Sequence, residues 1–330
     1  MDAAKATPAV QFTWALRRVP CNLCGSAEYE ELYPSRLERL ATRDIQEIFA
    51  CTSSAYGECG PIVRCASCGF IYQNPQPDPA HVLAAYESVV DTRYAEEREG
   101  RVHTFRRALA EIGEFIAAGR LLDVGSHLGV FVEVARLAGW QAEGVEPSTW
   151  AADVARSRGL PVWCGTLANF PPARAPYDAI TMWDVIEHFT DPAAELRRVW
   201  ALLQPGGLLA ISTMDVEAPI ARVLGRHWPW YMQMHLSYFS RRSLARLIEQ
   251  AGFEVLDARR HRRVVRASYL LSRLEGRLGP LYPRLLKLAQ HTGVGNRLVS
   301  IDLGDIMTVF ARRRGSTEAR QGVPPGTLTR

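Results

Sequence analysis

Nowhere in these 330 residues does an apolar run reach the roughly 20 residues that a membrane-spanning helix needs. The first twenty, MDAAKATPAVQFTWALRRVP, lack the apolar core of a signal peptide. The expected location is therefore the cytoplasm, with no membrane as partner. Cysteine is nearly missing from most of the chain: six of the seven lie at or before residue 68, and only Cys164 lies beyond it. That distribution excludes a disulfide framework running through the fold. Neither sign of charge dominates, and a net +4 permits nucleic acid as a partner without requiring it. No segment repeats. What is there, 47% hydrophobic and 22% charged residues, suits a globular chain of roughly two domains.

The clustered cysteines carry a pattern. Cys21 and Cys24 stand in CNLCG, Cys65 and Cys68 in CASCG. Each is a C-x-x-C followed by glycine, the knuckle that lets two thiolates and nearby backbone N–H groups converge on a tetrahedral ion, so a structural Zn²⁺ is expected on these four. Cys51 and Cys59 lie between the pairs and stand as small buried hydrophobes or substitute ligands. The long spacer must fold on its own, and LERLATRDIQEIF (37–49) reads as a helix.

The third glycine of a dinucleotide fingerprint is also missing. In RLLDVGSHLGVFVEVARLAGWQAEGVE (120–146) only Gly125 and Gly129 are present, with Ser126, His127 and Leu128 between them and Asp123 inside the preceding apolar run. Pyrophosphate readout is poorly supported. The order is nonetheless strand, glycine turn, helix, strand and terminal acid, Glu146. Glycines let the backbone approach a ligand, the helix start offers free N–H groups, and the carboxylate can accept from ribose hydroxyls.

From residue 119 strands and helices alternate, which argues an α/β fold with a parallel sheet covered on both faces. Further strands are expected at 161–164, 177–184, 208–213, 253–258 and 306–312. Helices are expected after Ser148, after Asp191–Pro192 and after Ser240, with the Pro-Gly-Gly of 205–207 closing the second. The expected organisation is a flexible arm (1–17), a zinc-binding module with its NPQPDP linker (18–79), a helical connector (80–118), a main domain (119–314) with insertions at 214–239 and 260–305, and a disordered tail (315–330).

GRLLDVGSHLGVF, GVEPS, YDAITMWDVIEHFTDP and LLQPGGLLAIST, in that order, resemble the class I methyltransferases that use S-adenosylmethionine. The preceding CNLCG and RCASCGFIYQNPQP and the later MHLSYFS resemble the bacterial branch with an N-terminal zinc module. That resemblance implies a Rossmann-like sheet of seven strands, the last hairpin antiparallel, with S-adenosylmethionine across the C-terminal strand edges. It implies that Asp123 orients the turn or the amino acid moiety, that Gly125, Ser126 and Gly129 admit the cofactor, and that Glu146 holds the ribose. Thr166 and Leu167 would flank adenine; Trp183 and Asp184 would sit by the methionine end or serve as core aromatic and helix cap. His127 departs from the small or polar pair common in relatives, and reads as a spacer with a solvent-facing ring or a ligand contact.

Members of the branch modify small molecules, including sugars and secondary metabolites, so a small-molecule acceptor is the expected partner. Methyl transfer asks for alignment and, where the nucleophile is a hydroxyl or acidic carbon, removal of a proton. Histidine suits that task. His235 in the insertion and His188 after the fourth strand are the candidates, with Tyr238 nearby; structural hydrogen bonding or lid packing would equally account for them. Trp228, Trp230, Tyr231, Tyr238 and Phe239 suit a flat acceptor or the insertion's own core. The alternative is an RNA methyltransferase using the zinc module and the basic run Arg259–Arg266. Nucleic acid is not expected, because the element after the fourth strand reads WDVIE where a D/N-P-P-Y/F element would grip an extruded adenine.

Overall fold

The computed structural model describes residues 15–37, 48–53, 55–272 and 279–315. Most of the N-terminal arm, nearly all of the helix expected over 37–49 and the tail after 315 lie outside the described residues. The main sheet has seven strands: β1 Arg120–Val124, β2 Gln141–Glu146, β3 Val162–Cys164, β4 Tyr177–Trp183, β5 Leu203–Met214, β6 Phe253–Arg260 and β7 Ile306–Arg313. Their order is β6-β7-β5-β4-β1-β2-β3, with β1 to β5 parallel and β7 antiparallel between β5 and β6. This is the expected Rossmann-like architecture, and the order reverses beside β1, where a crevice opens at the strand ends.

Alternation along β1 explains why both faces are covered. Leu122 and Val124 pack with Leu196, Val199 and Leu244 on one side, while Leu121 packs with Phe105, Val130 and Ala151 on the other. The helices start where side chains satisfy their free N–H groups: Ser148 accepts from Ala151 N, Asp191 from Ala194 N, and Ser240 forms a reciprocal capping box with Ser243. One boundary differs from expectation. Strand β5 begins at Leu203, so the Pro-Gly-Gly lies in an irregularity of the strand, between the Leu203–Tyr177 and Leu208–Ala179 pairs, with Gly206 at φ +80°.

A second sheet joins segments that are remote in the chain. Its order is Ser237–Tyr238, Ile71–Gln73, Ile62–Cys65, Tyr29–Tyr33, all antiparallel. The insertion after β5 therefore supplies a strand to the cysteine-bearing module. The proline-rich segment is packed as well: Asn74 accepts from Val19 N and donates to Val19 O, and Gln76–Pro77 pairs with Leu16–Arg17.

Gln73 holds the junction. Its side chain is fully buried (0% exposed), Oε1 accepts from Gly60 N at 3.1 Å, and Nε2 donates to Met232 O at 2.8 Å and Gln233 O at 3.2 Å. An apolar replacement strands several buried backbone groups. Gln73→Leu is expected to lower folding stability by about 2–3 kcal/mol, read as a lower denaturation midpoint; an unchanged midpoint would show that the amide does not hold the junction.

Candidate active site

The turn between β1 and the helix Val130–Leu137 is built around Gly125. At φ +69° it takes a conformation that favours glycine, and a Cβ there would meet Val185 Cγ2 at 2.6 Å. Val145 O accepts from both Gly125 N and Ser126 N, which locks the turn to β2. Gly129 serves the packing of the helix start, since a Cβ would meet Leu160 Cδ1 at 2.7 Å, and it stands outside the cavity lining. His127 is not the solvent-facing spacer that the sequence allows. Its ring is 6% exposed and stacks on Tyr94 with centroids 3.7 Å apart, and among the described residues neither ring nitrogen has a hydrogen-bond partner. Burial, with Arg101 beside it, pushes its pKa down to about 3. His127 and Asp184 are the non-glycine residues at positive φ among those described, and both line the cavity; such strain gathers at ligand sites.

Glu146 ends β2 with both carboxylate oxygens engaged: Oε2 accepts from His127 N and Oε1 from Ser148 N, each at 2.8 Å. Burial raises its pKa to about 7 against the pull of those two N–H groups. Asp123, one strand over, accepts from Thr181 Oγ1 at 2.7 Å and is raised to about 8, by burial first and then by the charge of Glu146.

These groups line a cavity of about 1530 Å³, larger than the ~300–1,000 Å³ typical of a single small-ligand site. Asp123, Gly125, Ser126, His127 and Glu146 line it, as do Thr166, Leu167, Trp183 and Asp184. The far wall carries Glu187, His188, His235 and Trp230. Tyr238 lies outside it, buried in the small sheet with its hydroxyl 3.3 Å from Met232 O. Of the insertion's aromatics only Trp230 lines the cavity; Trp228 is fully buried and donates from Nε1 to Asp305. The sequence reading missed the lining supplied by the connecting helices Pro79–Ser88, Arg93–Glu96 and Arg98–Ile112, with Tyr86, Tyr94 and Arg101 among it. The Arg101 guanidinium lies 3.6 Å from the Tyr94 ring centroid. No local motif marks them, because they precede the glycine turn and reach the site only through packing.

At the end of β4, burial pushes Asp184 up but Arg263, His261 and Ser212 more than offset it and hold its carboxyl low. Glu187 goes the other way, up to about 8, from burial and from the nearby Asp184 charge. Burial lowers the pKa of His188, and burial with the adjacent His188 takes His235 down to about 3. His188 Nδ1 lies 2.8 Å from the Tyr86 hydroxyl and 2.9 Å from Met234 O; His235 Nδ1 lies 2.9 Å from Trp230 O. Four of the five arginines of the basic run pair within the chain: Arg259 with Glu114 and Asp257, Arg262 with Asp302, Arg263 with Asp184 and Arg266 with Glu99.

Some distance away the four knuckle cysteines converge. Sγ of Cys21 and Cys68 are 3.6 Å apart, those of Cys24 and Cys65 3.5 Å apart, and all four lie within 4.8 Å of one another. Gly25 and Gly69 turn the two knuckles alike, at φ +77° and +75°, donating to Cys21 O and Cys65 O. Cys59 packs in a separate apolar cluster and Cys51 faces the cavity, so neither belongs to the group of four.

A family model described as a methyltransferase domain matches residues 94–258, half of the chain. Similar curated proteins include the ubiquinone biosynthesis O-methyltransferase of Bradyrhizobium sp. (strain ORS 278), 29% identical over 42% of this chain and 56% of that one. That of Bordetella bronchiseptica is 28% identical over 44% of this chain and 66% of its own. The chain spans just over half the length of the first of these relatives and about two thirds of the second. Among solved structures, a methyltransferase from Thermotoga maritima described as S-adenosylmethionine-dependent and a possible histamine N-methyltransferase aligns with a TM-score of 0.46 at 20% identity, over 67% of this chain and 94% of that one. With a strand order that reverses beside the glycine turn and a family match over half its length, this chain belongs to the methyltransferase-domain family.

Proposed function

We propose that the protein transfers a methyl group from S-adenosylmethionine to the hydroxyl of a small molecule, and that Cys21, Cys24, Cys65 and Cys68 hold a structural Zn²⁺. The observation that carries the first part is the shared cavity, which puts the glycine turn and Glu146 in one space with Glu187, His188 and His235. Its volume exceeds the needs of a single ligand. The names of the related O-methyltransferases agree with an oxygen acceptor. Four arginines of the basic run meet carboxylates of their own chain, which favours the small-molecule reading over the nucleic-acid alternative.

When bound, S-adenosylmethionine supplies a methyl group already activated on a sulfonium. The residues present fit it: a turn whose Gly125, Ser126 and His127 line the cavity, and a buried acid at the end of β2 that lines it as well. Glu146 would accept from the ribose hydroxyls with the lone pairs that its two backbone donors leave free. Arg101, whose Nε has no hydrogen-bond partner among the described residues, offers charge for the amino acid carboxylate. Thr166 and Leu167 would border the adenine, with Trp183 and Asp184 at the methionine end. The remaining space falls against His188 and His235, which would orient the acceptor hydroxyl and handle its proton. For the thiolates the fit is metric, because bonds of about 2.3 Å to one tetrahedral ion place sulfurs roughly 3.8 Å apart.

Three outcomes follow from these assignments. Glu146→Ala should weaken S-adenosylmethionine binding by about 1.5–3 kcal/mol with the fold intact, measured by calorimetry. The ionised carboxylate is the form that accepts from hydroxyls. With a pKa near 7 in the free protein, binding must expel a proton at lower pH, so affinity should fall by up to about tenfold per unit as pH drops below 7. That slope should shrink in Glu146→Gln, with Asp123 as the other raised carboxyl facing it; a pH-independent affinity would remove Glu146 from the ribose.

Metal analysis of the purified chain should find zinc at the thiolate cluster, and Cys65→Ser should lose it together with stability of the module. Full occupancy in that variant would refute the ligand set. His235→Ala should lower turnover by roughly 10²–10⁴ if the ring acts on the acceptor's proton, while cofactor affinity stays nearly constant. Turnover that falls only in step with thermal stability would reduce His235 to packing.

A further inference from the structure

The three residues at the acceptor end have an arrangement that proton transfer alone does not require. Glu187, His188 and His235 each bring one ligating atom to within 4.8 Å of the others, and all three face the cavity. Glu187 is 1% exposed. Its Oε2 accepts from Thr213 Oγ1 at 2.8 Å, while Oε1 is buried with no hydrogen-bond partner among the described residues. A carboxylate oxygen held in that state is short of a cation or a donor.

The backbone turns both imidazoles the same way. His188 Nδ1 meets Met234 O and His235 Nδ1 meets Trp230 O, each at 2.9 Å. A carbonyl oxygen only accepts, so Nδ1 of His235 carries the hydrogen and its neutral ring keeps the lone pair on Nε2; His188 takes the same tautomer when the Tyr86 hydroxyl, 2.8 Å from its Nδ1, is a second acceptor. His188 Nε2 stands 4.0 Å from Glu187 Oε1. A backbone carbonyl behind each histidine and a hydroxyl behind the carboxylate are the outer contacts that orient metal ligands.

We propose that Glu187, His188 and His235 form a binding site for a divalent transition-metal ion whose open positions face the cavity and take the oxygen of the acceptor. Two imidazoles and a carboxylate suit borderline ions such as Zn²⁺, Mn²⁺ and Fe²⁺. Bonds near 2.1 Å set neighbouring ligands roughly 3.4 Å apart, so the three close by about an ångström around the ion. The adjacent charges, Asp184 and Arg263, pair with each other and leave no net charge beside the site. A hydroxyl bound there loses its proton to bulk water at a lower pH than when free. His235 is then a ligand and the metal-bound oxygen the nucleophile. The role of the ion rests on the methyl-transfer reading; its binding does not.

The test is Mn²⁺ binding to the chelator-treated full chain, followed by electron paramagnetic resonance. Mn²⁺ is chosen because soft thiolates compete poorly for it. One equivalent should bind, and Glu187→Gln and His235→Ala should each weaken binding at least tenfold, whereas Cys51→Ser, in the neighbouring Cys51–Asp91–His127 group, should leave it unchanged. Should His235→Ala fail to fold by circular dichroism, Glu187→Gln decides, since its carbonyl can still accept from Thr213. No binding by the wild type, binding indifferent to Glu187→Gln, or binding lost in Cys51→Ser overturns the site. Calorimetry with S-adenosylmethionine on the same samples separates the two readings: cofactor binding without Mn²⁺ removes only the metal site, and Mn²⁺ binding without cofactor removes only the proposed function.

Discussion

Backbone groups cannot be buried without partners, and in this protein that constraint is met by one side chain at the join of two sheets. The loop before the strand Ser237–Tyr238 turns carbonyl oxygens inward, away from water, and the amide of Gln73 meets them. Gln73 N donates to Leu236 O, and Leu236 N in turn donates to Glu187 O. A continuous run of hydrogen bonds therefore leads from the cysteine-bearing module through the insertion to the turn that carries Glu187 and His188. The module also shares its apolar core with one face of the main sheet, since Leu23, Val63, Phe70 and Tyr72 cluster with Leu122 and Ile180.

Burial accounts for the electrostatics of the cavity. Asp123, Glu146 and Glu187 are all shifted upward and His127, His188 and His235 downward, because desolvation disfavours whichever form is charged. Asp184 departs from the trend only because Arg263 lies against it. The result is a space lined by groups inclined to neutrality, where a cationic cofactor or ion would meet acceptors that gain from ionising. Such shifts gather where chemistry is done.

The cysteine knuckles, the glycine turn and the helix caps were legible because each is local: a few residues at fixed spacing impose the geometry regardless of what lies elsewhere. The same held for the seven strands, whose apolar runs and bounding turns are periodic features of the chain. Legibility ended where a residue's position depends on distant packing. His127 reads as exposed from its turn, yet Tyr94, thirty-three residues earlier, covers it. Tyr238 reads as an acceptor contact, yet strand pairing with Ile71 takes it into the core. The Pro-Gly-Gly reads as a turn between elements, yet the pairing of Leu203 with Tyr177 carries the strand through it.

By itself the sequence determined the α/β class, the order of elements, the candidate cofactor turn with Glu146, and the four convergent cysteines, since these follow from periodicity and short-range stereochemistry. Only the tertiary structure decided that the insertion joins the module's sheet, that the connecting helices bring Tyr86, Tyr94 and Arg101 to the cavity, and that Glu187, His188 and His235 meet. Apart from the neighbours Glu187 and His188, those contacts join residues far apart in the chain, such as Tyr94 with His127, Tyr86 with His188 and Tyr238 with Ile71, and the burial that creates them also sets their protonation. No local pattern encodes either, because both depend on which surfaces exclude water together.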